Sequence, residues 1–184
     1  VQIIRMVVIA VPIVPVDGDF EHIIFHFAHD FSDQNKNKEN VNYVALRRIM
    51  NSFKSVGRKQ IIFISTPDVN NPRATVYTTQ KKLAEEILDR NRDLILRPSL
   101  IHSEKSKNGI SFIFSAFSKL FVPIPVNRSK IAPIHITEFS HKIFERVFST
   151  RSTGVLLVKG KNTISLKNYL REYYQINAFE IPNI

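Results

Sequence analysis

Tyr77 and Lys81 stand four residues apart in the run Tyr77-Thr78-Thr79-Gln80-Lys81. On a helix that spacing places both on one face, about one turn apart. A free tyrosine titrates at about pH 10 and is a poor base at neutral pH. A neighbouring ammonium favours the phenolate and lowers that value. Such a pair can move a proton to or from a substrate hydroxyl or carbonyl. The spacing alone is weak evidence in a chain with 5 tyrosines, so the elements around it have to carry the argument.

Other chemistries are less well served. The absence of cysteine removes disulfides, thiolate catalysis and cysteine-ligated metal centres, and fits a reducing cytoplasm. His22 and His26 share a face of a strand, with His29 close by, but no set of carboxylates accompanies them, so no metal site is expected. His135 reads as a structural histidine, and Tyr169, Tyr173 and Tyr174 as packing residues. The net charge of +10 invites a nucleic-acid reading. Its basic residues are spread along the whole chain with no run of five, which is the pattern of a solvated surface. Neither nucleic acid nor membrane is therefore an expected partner. Val1–Val16 is apolar but falls short of the roughly 18 residues that suggest a span, and it carries Arg5, Pro12 and Pro15. With Val rather than Met at position 1, the chain is expected to begin partway into a longer protein.

The elements that would position the pair follow from periodicity. Glu21–Ala28 and Gln60–Ser65 are short apolar runs of buried-strand type, and Asp93–Leu96 is a third, stopped by Pro98. Val41–Val56 and Val76–Arg90 read as helices, the second with Leu83, Ala84, Ile87 and Leu88 inward and Glu85 and Glu86 outward. Asp30–Glu39 and Thr66–Arg73 read as polar loops. Further on, Ile110–Phe121 is apolar and a candidate helix, Thr137–Phe148 a helix and Gly154–Val158 a strand. Ser165 reads as the N-cap of a helix to about Tyr174. Strands alternating with helices predict a single α/β domain with a mostly parallel sheet, residues 1–98 carrying the core strands and catalytic helix.

Several runs, in order, resemble the extended or atypical branch of the short-chain dehydrogenase/reductase superfamily, the nucleotide-sugar epimerase, dehydratase and ketoreductase group. Glu21–His29 is similar to the family's fourth strand. Asn40-Val41-Asn42 is similar to the start of its next helix, and Gln60–Thr66 to the fifth strand with its terminal catalytic Ser or Thr. Leu94-Ile95-Leu96-Arg97-Pro98 resembles the strand after the catalytic helix, and Pro133–Glu138 a later apolar-His-apolar motif. The resemblance covers about residues 21–150. It implies that Tyr77 is the acid/base and that Lys81 lowers its pKa and binds the nicotinamide ribose. Ser65, or Thr66 one position later, would hydrogen-bond the reacting oxygen. Phe27, Ala28 and Pro98 would line NAD or NADP, and Ser99–Arg128 would shape the pocket for a nucleotide-linked sugar, Ser99 approaching the nicotinamide side and Arg128 contacting the pyrophosphate. It also implies a homodimer through the helices 41–56 and 76–90, and a substrate-binding part over residues 99–184.

One expected feature is missing. The glycines are Gly18, Gly57, Gly109, Gly154 and Gly160, and no two are close enough for the G-x-G-x-x-G loop that admits a pyrophosphate to a helix N-terminus. The fold expected is thus Rossmann-like but lacks its first βαβαβ strands and glycine loop. A sheet so cut would leave the strand at 21–28 as an apolar edge, to be covered by Val1–Val16, another chain or residues beyond these. Two function classes remain: an NAD(P)-dependent oxidoreductase or epimerase, and a truncated binding or regulatory module on the same fold.

Overall fold

The computed structural model describes residues 8–12, 22–27, 30–54, 59–103 and 124–181. The chain divides into two compact units, one of Val1–Pro98 with Thr150–Leu157, the other of Ser99–Ser149 with Val158–Ile184. Part of Val1–Val16, Ala28, His29 and the segments expected at 105–109 and 110–121 lie outside the described residues.

The first unit is built on strands β1 (Val8–Pro12), β2 (His22–His26), β3 (Lys59–Ile64) and β4 (Leu94–Pro98). Helix α1 (Val41–Ser52) connects β2 to β3, and α2 (Val76–Glu86) connects β3 to β4. β2, β3 and β4 run parallel, with His26 opposite Phe63 and Ile64 opposite Leu96. This is the predicted βαβ order. Ile61, Ile62 and Phe63 are all buried, so β3 is covered on both faces. Leu46 and Ile49 of α1, Ala84 of α2 and Leu88 just after it pack with Ile24, Ile61, Phe63 and Ile95. The outer edge of β2 is occupied by β1, which pairs antiparallel with it from Val8 opposite His26 to Pro12 opposite His22. The N-terminal segment thus covers the edge that would otherwise offer unpaired backbone groups. A fifth strand lies beyond β4 in this sheet, Gly154–Val158.

Both helices stop earlier than their periodicity predicts. α1 ends at Ser52 rather than Val56, because Lys54 N–H turns back to Asn51 O and the Lys59 ammonium donates to Phe53 O. α2 ends at Glu86 rather than Arg90. There the Asp93 carboxylate accepts from Asp89 N–H at 3.0 Å while Asp89 accepts from Asn91 N–H, so aspartate turns replace the last helical bonds.

The second unit contains β5 (Ile101–His102), β6 (Ile124–Asn127), β7 (Lys130–Ile131), β8 (Ile134–His135) and helix α3 (Ile136–Phe144). The α-helix expected to reach Phe148 passes at Glu145 into a wide turn that ends at Ser149. Helix α4 (Leu166–Tyr174) starts at Ser165, whose hydroxyl accepts from Asn168 N–H as its N-cap position predicts. Tyr169 and Leu170 of α4 form a small core with Val126 and Ile176. Tyr169 packs near Tyr173 and Tyr174, and His135 caps α3 by accepting from Thr137 N–H.

Candidate active site

The carboxyl end of β3 and the first two turns of α2 bring four of the expected residues together. α2 begins at Thr75, whose hydroxyl accepts from Thr78 N–H while the Thr78 hydroxyl accepts from Thr75 N–H, a capping box without a carboxylate. The helix phase this sets puts Lys81 against β3. The Lys81 ammonium is buried, donates to Ile64 O at 2.7 Å, and sits 4.8 Å from the Phe63 ring centre and 5.8 Å from that of Tyr77. Burial lowers the Lys81 pKa to about 8, against the opposing pull of the Glu85 carboxylate.

Tyr77 is half-buried, and Phe31 stacks on its ring at 5.4 Å. Its pKa is raised, first by burial and then by the Asp68 carboxylate. This corrects the expectation that Lys81 lowers it. Desolvation of the half-buried ring, with the nearby Asp68 carboxylate, disfavours the phenolate.

Ser65 and Thr66 follow β3 directly, and both are buried. They differ in what holds them. The Ser65 hydroxyl donates to the Glu85 carboxylate, whereas among the described residues the Thr66 hydroxyl accepts a long bond of 3.4 Å from Asp68 N–H at the start of a short turn, Pro67–Asn70. Glu85 is thus a second correction. Predicted to face solvent, it is 3% exposed and is gripped by Arg97 of β4, whose Nε donates at 3.0 Å. Tyr77, Lys81 and Glu85 fall on one helical face at successive i,i+4 steps, a signal that was in the sequence. The burial of Glu85 depends on Arg97, twelve residues later, and local charge pattern does not report that.

Another group missed in the sequence fixes the loop that carries Phe31. The Gln80 amide donates to Asp33 O and Asn35 O at 2.8 and 2.7 Å and accepts from the Asn42 amide at 2.9 Å. Asn42 in turn accepts from Asp30 N–H and donates to Asp30 O. His26, at the end of β2, is buried, and neither ring nitrogen has a hydrogen-bond partner among the described residues. Burial first and the Lys81 charge second lower its pKa to about 4.

The remaining expected residues are placed as follows. Phe27 follows β2, partly exposed and stacked on Phe25, and Pro98 ends β4. Ser99 and Arg128 belong to the second unit. Ser99 N–H donates to Val158 O and its hydroxyl to Ala132 O, and Arg128 lies 3.9 Å from Glu180. Among the described residues no group of three or more His, Cys, Asp or Glu is arranged to hold a metal, and no helix is long and apolar enough to cross a membrane.

No protein-family model and no curated protein sequence matches the chain. Solved structures do. The chain is similar to dTDP-4-dehydrorhamnose reductase from Bacillus anthracis, crystallised with NADP, at TM-score 0.64 and 17% identity over 89% of this chain and 66% of that one. It is similar to the Bordetella bronchiseptica enzyme WbmG, crystallised with NAD and UDP, at 0.67 and 14% over 88% and 59%. For UDP-glucose 4-epimerase from Thermus thermophilus, crystallised with NAD, the values are 0.62 and 14% over 87% and 65%. The chain spans less than two thirds of the length of each of these proteins. Together, the sheet order and these likenesses give the chain a Rossmann-like α/β fold, as the sequence predicts.

Proposed function

We propose that the chain is the catalytic part of an NAD(P)-dependent reductase, epimerase or dehydratase of the short-chain dehydrogenase/reductase superfamily, acting on a nucleotide-linked sugar in the cytoplasm. The observation that carries this reading is the Lys81 ammonium, buried beside Tyr77 at the carboxyl end of β3, where parallel sheets bind their ligands. Lys81 has three N–H donors and gives one to Ile64 O, which leaves two for the vicinal hydroxyls of a ribose. The ribose side of a dinucleotide therefore fits Lys81, with Phe27 and Pro98 as its apolar lining. When bound, the nicotinamide supplies the hydride donor or acceptor.

The protein groups handle the proton. Because Ser65 is committed to Glu85, Thr66 takes the role of hydrogen-bonding the substrate oxygen. Tyr77, held as a phenol by burial and Asp68, starts as the acid and donates its proton to a carbonyl oxygen becoming an alkoxide. Lys81 then stabilises the phenolate left behind. Glu85 and Arg97 hold the helix and strand that carry these groups. This order suits reduction of a keto sugar in particular. The faces of α1 and α2 would pair two copies.

The second reading is a truncated, non-catalytic binding or regulatory module on the same fold. Titration of NADH and NADPH into the full-length protein, followed by nucleotide fluorescence, separates the two. Saturable binding is expected. No binding of either nucleotide overturns the enzyme and leaves the module.

A further inference from the structure

A second charged feature lies at the opposite end of β3. A cavity of about 350 Å³ opens between the end of α1, the start of β3 and the segments after α2. Its lining carries four cations, Arg47, Lys54, Lys59 and Arg92, with Met50 and Ile87 as apolar wall, and among the described residues none of the lining side chains is acidic. β3 runs from Lys59 to Ile64, so roughly 17 Å of strand separates this cavity from the Ile64 carbonyl that holds Lys81.

The cations are differently prepared. Arg92 is fixed by a two-point pair with Asp93, at 3.0 and 2.9 Å, which leaves three of its five N–H donors. Lys59 is fixed by its bond to Phe53 O. Arg47 and Lys54 are exposed and make no ion pair among the described residues. Lys59 has a lowered pKa, by burial first, then by Arg92 against the pull of Asp93, then by Lys54. Crowded like charges of this kind are relieved by an anion. The cavity volume lies in the lower range of small-molecule sites, and a recess, unlike a stripe, does not track a nucleic-acid backbone.

We propose that this cavity binds a phosphate-bearing small molecule, its pyrophosphate group held by Arg47, Lys54, Lys59 and Arg92. The site is separate from the Tyr77 centre and stands whether or not that centre is catalytic. Isothermal titration of inorganic pyrophosphate into the protein tests it, with Arg47→Ala/Lys54→Ala and Tyr77→Phe as variants. Both alanine positions are exposed, and far-UV circular dichroism with a urea midpoint verifies their folding. The expected result is one saturable site that weakens with salt, loses at least about ten-fold in affinity in the double variant and is unchanged in Tyr77→Phe. The proposal is overturned by no saturable binding to the wild type, by equal affinity in a folded double variant, or by loss in Tyr77→Phe. Binding only of a charge-matched RNA duplex also overturns it and makes the patch a nucleic-acid surface.

Discussion

At the residue scale, the site is set by charged and polar groups held under a hydrophobic sheet, and their protonation should be visible in stability. His26 is buried with its pKa at about 4, below the 6.5 of a free imidazole. The unfolded chain therefore takes up a proton first as pH falls. The neutral ring adds no penalty above pH 6.5, and stability is lost between about 6.5 and 4, in total roughly 3 kcal/mol. Urea unfolding at pH 7 and pH 4 should show that loss, and His26→Leu should flatten it. An unchanged acid limb in His26→Leu would refute the assignment. Arg97→Leu leaves the Glu85 carboxylate buried without its partner and should cost about 3 kcal/mol by urea midpoint. A loss under about 1 kcal/mol would mean that Glu85 reaches water or is protonated. That Tyr77 and Lys81 share one face of a helix was legible in the sequence, because an i,i+4 spacing is a local property. The direction of the Tyr77 shift was not, because Asp68 and the burial of the ring come from a neighbouring turn and loop.

At the scale of elements, strands were easier to read than helix ends. β2 and β3 are short apolar runs because both faces of a parallel sheet are buried, and that pattern is local. The ends of α1 and α2 were set by Lys59 on Phe53 O and by the Asp89–Asp93 turn, contacts that periodicity cannot report. The Asn42–Gln80 bridge between α1 and α2 is similarly non-local. Gln80→Leu leaves the carbonyls of Asp33 and Asn35 without their amide donor, and should cost about 2 kcal/mol and speed proteolytic cleavage within residues 30–40. Unaltered cleavage there would show that the loop is held by other contacts. In the second unit, a Cβ at Gly160 would overlap the Pro133 carbonyl, so backbone must shift. Gly160→Ala should lower the urea midpoint by the equivalent of about 2 kcal/mol or more. A midpoint equal to the wild type would show that the approach is looser.

At the scale of the whole molecule, the sheet order carries the fold class. A parallel β2–β3–β4 core with helical crossovers is what the alternation of strands and helices predicted, and β1 supplies the edge strand that the apolar N-terminus required. What sequence could not show was where the +10 charge gathers. Arg47, Lys54, Lys59 and Arg92 look scattered along the chain and meet only when α1, β3 and the turn after α2 are folded. The central claim is that Tyr77 transfers the proton. Turnover of full-length protein with NADPH or NADH and a keto nucleotide sugar, compared with Tyr77→Phe, tests it most directly. A fall in kcat of at least about 100-fold is expected, with cofactor affinity kept within about two-fold. Turnover by Tyr77→Phe at the wild-type rate would contradict it.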